Sequence, residues 1–210
     1  MRKTLVGLFE QAPRKQSIHF FDLDETLFHH PTDEKGVRIH VAHPSGHRVA
    51  SLTNTQFNNY KLPPGHKFDF SEFRSSHKFS QTAKPIRKTI AKLKALNSTG
   101  KKAEILTARA DMDDKEDFGK HLNKYGIDID KVHVRRAGNL PGSAAQNKKT
   151  IVSGLINKHG YNDVHLYDDN HENLNTFLGL KKDHPNVTFT AHHVEHDPVS
   201  GRVKITTTKV

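Results

Sequence analysis

The chain has no cysteine and no tryptophan, two methionines, and only 8% aromatic residues. Without cysteine, disulfides, thiolate metal sites and cysteine nucleophiles are excluded together. The shortage of aromatics argues against base stacking as the main mode of nucleic-acid binding. Long hydrophobic runs are missing too, since nothing approaches the roughly 18 consecutive apolar residues of a membrane-spanning helix. Near the N-terminus Arg2 and Lys3 precede an apolar run, 5–9, that stops at Glu10. A secretory h-region needs about seven residues or more, so no signal peptide is expected. The expectation is a cytoplasmic chain that does not engage membranes.

What is present is 210 residues, 33% of them apolar, enough for one modest core. At roughly 150 residues per domain, a single domain over 1–210 is expected. Charge is lopsided: 33 Lys and Arg face 23 Asp and Glu, a net +10, and 17 histidines add to it in acid. That balance suits polyanionic or phosphorylated partners, and equally a solvated surface.

Residues 17–21, Ser-Ile-His-Phe-Phe, read as a buried strand that runs into acids at Asp22 and Asp24. Residues 29–80 are dense in His, Pro, Gly, Ser and Asn, with alternation at Val37, Ile39 and Val41. They predict a small insertion containing a hairpin, an excursion rather than a second core. After it, Ile86, Ile90, Leu93 and Leu96 share one helical face between Pro85 and Gly100. Strands are predicted at 103–106, 132–134, 164–167 and 187–191. Helices are predicted around Phe118 and Leu122, around Val152 and Leu155, and around Leu174 and Phe177. The tail, 192–210, reads as a terminal hairpin. Repeated strand–helix units imply an α/β fold with a mostly parallel sheet covered by helices on both faces.

Ligands of such sheets sit beyond the carboxyl ends of the strands. The polar residues just after each predicted strand are Asp22, Asp24 and Thr26, then Thr107 and Arg109, then Asp168 and Asp169. Lys148 and Lys149 stand before a predicted helix. Several acids and a lysine converging at one sheet end are explained by a divalent cation and a phosphate. Carboxylates are the hard oxygen ligands Mg²⁺ prefers. One carboxylate can attack phosphorus while a second transfers protons, a threonine hydroxyl holds a phosphoryl oxygen, and a lysine offsets its charge.

Those segments resemble the haloacid dehalogenase (HAD) superfamily. Phe20-Phe21-Asp22-Leu23-Asp24-Glu25-Thr26 is similar to its DxDxT motif, Ile105-Leu106-Thr107-Ala108-Arg109 to its second motif, and Leu166-Tyr167-Asp168-Asp169-Asn170 to its fourth. Lys148 and Lys149 compete for the third, with Lys148 preferred because it stands three residues before Ile151. The resemblance covers about 17–191 and implies a Rossmann-like three-layer fold whose insertion lies where the family places its cap. It implies that Asp22 is the nucleophile and a Mg²⁺ ligand, and that Asp24 is the general acid/base, with its backbone carbonyl as a further ligand. Thr107 then holds the phosphoryl group, and Lys148 or Lys149 stabilises its charge. Asp168 completes the metal site, with Asp169 as ligand or orienting partner. The second aspartate, Asp24, implies a phosphomonoesterase rather than a dehalogenase. Phosphatases encoded by tailed phages, including the phosphatase half of polynucleotide kinase/phosphatase enzymes, are similar in arrangement, which adds an infected host cell to the expected settings. The substrates expected are phosphorylated small molecules, nucleotides or nucleic-acid ends; a 3′-end phosphatase and a non-catalytic HAD-like binding or scaffolding module are the rival readings.

Other features weigh less. Arg109 either contacts substrate or pairs with Asp111 or Asp113. The segment 142–150 approaches a P-loop but has Asn147 where the second glycine belongs. Asp168 and Asp169 also suit a helix N-cap. Arg135 and Arg136 face either a site rim or solvent. His43 with His47, and His192, His193 and His196, are read as surface histidines, because no acid partner is evident in the sequence.

Overall fold

The computed structural model describes residues 16–33 and 35–210, so the expectation drawn from the 5–9 run lies outside the described residues. The chain begins its sheet with β1 (Ser17–Phe21), in which Ile18 and Phe20 point to one face and Phe21 to the other. The excursion follows: β2 (Phe28–His29), β3 (Ile39–Ala42), β4 (Arg48–Leu52), α1 (Asn54–Asn59), β5 (Lys67–Asp69), α2 (Ser76–Thr82) and β6 (Lys84–Pro85). The repeating units are then α3 (Arg87–Ser98), β7 (Lys102–Thr107), α4 (Lys115–Lys124), β8 (Val134–Arg136), α5 (Ala144–His159), β9 (Asp163–Asp168), α6 (His171–Leu178), β10 (Thr188–His196) and β11 (Val203–Lys209).

Six strands form the central sheet in the order β11-β10-β9-β1-β7-β8, parallel throughout except for β11, which returns antiparallel to β10. Helices cover both faces. Leu93 and Leu96 of α3 and Phe118 and Leu122 of α4 pack over Phe21, Ile105 and Tyr167. On the other side Val152 and Leu155 of α5 and Leu174 and Phe177 of α6 pack over Phe20, Leu166 and Phe189. The result is a mostly parallel α/β sheet of Rossmann-like form. From β1 the chain builds outward through β7 and β8, then crosses back through α5 to place β9 on the opposite flank of β1. The β1–β9 boundary is therefore the topological switch point, where such sheets open a crevice.

Three expectations are modified. The excursion has a small core of its own, Ile39, Val41 and Leu52 beneath Phe57, Phe68 and Phe73, because β4-β3-β5 make a three-stranded antiparallel sheet. Its last elements also rejoin the main fold: Phe79 of α2 is fully buried in the main core against Phe28 and Phe118. The expected strand at 187–191 and the tail hairpin at 192–210 share one element, since β10 runs unbroken to His196 and itself forms the hairpin's first arm.

Histidines form a row across three neighbouring strands. The ring of His19 stacks on His165 at 4.1 Å between centroids, and His165 Nδ1 lies 3.1 Å from His192 Nε2. His19 is 6% exposed, and among the described residues neither of its ring nitrogens has a hydrogen-bond partner. Burial, reinforced by His165 and Lys101, pushes its pKa down to about 3; burial and His165 push that of His192 down to about 4. A histidine whose folded pKa lies below its unfolded value of about 6.5 stabilises the fold fully above pH 6.5 and loses that contribution as pH falls towards the folded value. Urea unfolding is expected to show a stability loss of about 1.4 kcal/mol per pH unit for each such group below pH 6. His19→Phe should flatten that slope; an unchanged slope would assign the acid sensitivity elsewhere.

Candidate active site

Parallel register brings the acids together. Phe21 pairs with Tyr167, and the Asp22 N–H continues the ladder by donating to the Tyr167 carbonyl at 2.8 Å. Asp22 and Asp168 thus leave adjacent strands at the same level, on either side of the switch point. Both are buried, Asp168 completely. Asp169 is the next residue, and one carboxylate oxygen from each of Asp22, Asp168 and Asp169 lies within 4.8 Å of the others.

Into this cluster α5 delivers one cation. Ser143 caps that helix by accepting the Gln146 N–H, which sets Lys148 in its second turn, facing the sheet. Lys148 is 2% exposed; its Nζ donates to Asp22 Oδ1 at 2.7 Å and to Asp168 Oδ2 at 2.6 Å. Lys149 points away and pairs with Asp183 at 2.9 Å on the surface. Of the two candidate lysines only Lys148 joins the site, since neighbouring helix positions diverge by about 100°. Asn147, in the place where a P-loop has its second glycine, donates to the carbonyls of Ala137 and Leu140, fastening the preceding turn to the helix start. Gly138 of that turn packs so closely on the 108–110 backbone that a Cβ there would lie 2.3 Å from the Ala108 carbonyl oxygen.

Asp168 is further held by the Asn170 N–H at 3.0 Å and by the Asn173 amide, which donates to both carboxylate oxygens. The cap of α6 is Asn170, accepting from Glu172 and Asn173, so neither aspartate is engaged as the N-cap. Three carboxylates facing one ammonium leave two negative charges uncompensated when all are ionised. That deficit and the all-oxygen donor set fit a hard divalent cation such as Mg²⁺. Burial pushes the Asp22 carboxyl up to about 7, with Asp168 and Asp24 adding to the effect and Lys148 opposing it. Burial together with Asp168 and Asp22 also holds Asp169 well above the usual carboxylate range. For Lys148, burial works against the charge, but Asp168 and Asp22 outweigh it and hold the ammonium protonated.

Asp24 stands outside the cluster. Arg109 grips its carboxylate with two nitrogens, Nε to Oδ2 at 2.8 Å and Nη2 to Oδ1 at 2.7 Å, while His30 Nε2 lies 2.9 Å from Oδ1. Burial alone would raise the Asp24 pKa; Arg109 and His30 overcome it and hold the carboxyl well below the usual range. Asp24 is therefore a fixed carboxylate in this geometry, not the protonated acid, and its side chain is not one of the clustered cation ligands. Arg109 pairs with neither Asp111 nor Asp113. It is 3% exposed, donates through Nη1 to the Phe73 carbonyl at 2.7 Å and lies against the rings of Phe73 and Phe79, so it clamps Asp24 to the excursion instead of presenting itself to a substrate. Thr107 is fully buried at the end of β7, its Oγ1 accepting the Arg109 N–H.

His30 and Asn173 stand out in no sequence motif, and Asn147 does so only as a departure from a P-loop. The arginine pair, expected at a site rim or in solvent, is tied to the fold: Arg135 binds the buried Glu104 at 2.8 Å, and Arg136 reaches the Ala110 carbonyl and lies over Phe118. A cavity of about 260 Å³ opens beside Asp169, between the start of the excursion at Glu25, His29 and Thr32 and the end of β10 at His196.

No protein-family model, curated protein or solved structure matches this chain. Among the described residues, no helix is long and apolar enough to cross a membrane.

Two outcomes follow from the charge balance. Replacing Lys148 by Met strands two buried carboxylates and should cost about 3–5 kcal/mol at neutral pH, whereas Lys149→Met should leave the urea midpoint unchanged. Equal effects of the two substitutions would contradict the assignment. Calorimetric Mg²⁺ affinity should fall as pH drops below about 7, by up to about tenfold per pH unit for each proton displaced. A flat profile from pH 8 to 6 would remove Asp22 from the ligand set.

Proposed function

We propose that this chain is a Mg²⁺-dependent phosphomonoester hydrolase of the HAD type, working through an aspartyl-phosphate on Asp22. The observation that carries the reading is the buried Lys148 ammonium bridging Asp22 and Asp168 at the switch point of the sheet, with Asp169 alongside. A carboxylate nucleophile needs a fixed orientation and a counter-charge that survives burial, and Lys148 supplies both. Asp22, Asp168 and Asp169 would hold Mg²⁺, which neutralises phosphate charge and favours the ionised form of Asp22.

In the first half-reaction an oxygen of Asp22 attacks phosphorus and the ester oxygen leaves as an alcohol, taking up one proton. In the second, water attacks the aspartyl-phosphate, releasing inorganic phosphate and restoring the Asp22 carboxylate. The clamped Asp24 carboxylate suits the second step, where it accepts a proton from the water. His30, beside the Asp24 carboxylate, would carry that proton. Thr82 Oγ1 donates to the Lys78 carbonyl and so accepts from His30 Nδ1, leaving Nε2 between Asp24 Oδ1 at 2.9 Å and the donating Arg109 Nη2 at 3.1 Å. The proton of the leaving alcohol is then supplied through the His30–Asp24 pair, not by an isolated protonated aspartate.

Phosphate release should be measured across sugar phosphates, nucleotides and 3′- and 5′-phosphorylated oligonucleotides, with Mg²⁺ and with EDTA. Release by the wild type should require Mg²⁺, and Asp22→Asn should lose at least about 10³-fold in turnover with its circular dichroism unchanged. Hydrolysis at the wild-type rate by Asp22→Asn would overturn the mechanism. Preference for the 3′-phosphorylated oligonucleotide would select the end-phosphatase reading, and no release from any member would favour a binding module.

A further inference from the structure

The cavity beside Asp169 carries on its wall a group of donors that the phosphoryl chemistry leaves unused. Glu25 follows the clamped Asp24, His29 lies in β2, and His196 is the last residue of β10, beyond the point where that strand pairs with β9. Glu25 and His29 are four residues apart and His196 is remote in sequence, yet the three each offer one ligand atom, all within 4.8 Å of one another. The acid partner that the C-terminal histidines lack in the sequence is therefore supplied by Glu25. We propose that Glu25, His29 and His196 form a binding site for a divalent transition ion of the Zn²⁺ class, distinct from the three-aspartate cluster, with an open coordination position facing the cavity.

Donor chemistry separates the two sites. Two imidazoles and one carboxylate form the borderline-soft set that zinc-type ions favour, and three protein ligands leave a position for water or an incoming group. The three aspartates offer only oxygen and suit a hard cation. Orientation is already in place: Glu25 Oε1 accepts the His30 N–H at 3.1 Å, which aims Oε2 at His29 Nδ1, 2.7 Å away. The ring centroids of His29 and His196 lie 5.2 Å apart, with the planes tilted by 55°. His196 Nδ1 is buried and, among the described residues, has no hydrogen-bond partner. A buried polar atom left in that state costs free energy that a ligand on the ring relieves. Another close group of histidines, His43, His47 and His66, lies at the hairpin tip of the excursion; Ser45 bridges His43 and His47, and no carboxylate belongs to the group.

This inference stands apart from the phosphatase reading and is tested without an activity assay. Tag-free, metal-stripped protein is titrated with Co²⁺ as a spectroscopic probe and with Zn²⁺ by calorimetry, in excess Mg²⁺. One equivalent per chain is expected, with the intense visible bands of a low-coordinate nitrogen- and oxygen-ligated Co²⁺. His29→Gln and His196→Gln should each weaken Zn²⁺ by ~100-fold or more, and both should lose the Zn²⁺-induced rise in melting temperature. Both keep their apo melting profile, which separates loss of ligand from loss of fold, and Glu25→Gln gives a third variant that retains side-chain size. Asp168→Asn should bind Zn²⁺ as the wild type does. The proposal fails if wild type takes up no stoichiometric ion. It fails equally if both histidine variants bind unchanged, which would place the ion at other histidines, or if Asp168→Asn abolishes binding, which would place it in the aspartate cluster.

Discussion

One buried ammonium shared between two carboxylates organises this molecule. Lys148 reaches across from α5 to touch Asp22 at the end of β1 and Asp168 at the end of β9. Three groups of that charge removed from water carry a heavy desolvation cost, which mutual attraction offsets only if the geometry is fixed. The sheet order fixes it. Because the chain crosses back after β8, the two aspartates leave neighbouring parallel strands at the same level, and the helix between them presents its cation to both. An apolar triad of similar volume would pack there at less electrostatic cost. A core gains nothing from charge at such a position, whereas binding of a cation and an anion would use it.

A second, separate pairing governs Asp24. Its neutralisation by Arg109 is complete and inward-facing, whereas the Asp22, Asp168 and Asp169 group is short of positive charge. Two aspartates two residues apart thus have opposite electrostatic surroundings. The division also joins the two halves of the fold, because Arg109 leaves the end of β7, holds Asp24 after β1 and donates to the carbonyl of Phe73 in the excursion. Movement of the excursion relative to the sheet would be felt first at this guanidinium.

Much of this was legible in the residues. The apolar-to-acid transition at 17–24 ends a strand at Phe21, and the periodicities of α3 and α5 end at glycines of positive φ, Gly100 and Gly160, as expected. Asp22, Asp168, Asp169 and Lys148 meet because all four stand at strand ends or at a helix start, positions that a repeating pattern reveals. Arg109, Lys149 and Asp24 behaved otherwise for reasons that no linear pattern contains. A bidentate clamp depends on which side chains face each other across the sheet end, and two adjacent lysines differ only by their angle around the helix. His30 and Asn173 carry no signal beyond being polar near a motif. The excursion reads as lacking a core because only the stretch of Val37, Ile39 and Val41 alternates, while Leu52, Phe57, Phe68 and Phe73 are scattered among polar residues.

Gly138 lends the site a vulnerability of another kind. The turn containing it is fastened to α5 through Asn147, the residue before Lys148, while the glycine itself lies against the backbone that carries Arg109. Both cations of the site therefore take their depth from a single spacer with no side chain. Any larger residue would act as a wedge, lifting one cation or the other from its carboxylates while every chemically active group remained in the sequence. Inheritance of an intact set of motifs is thus insufficient to preserve this centre: a silent hydrogen at one turn has to be inherited with them.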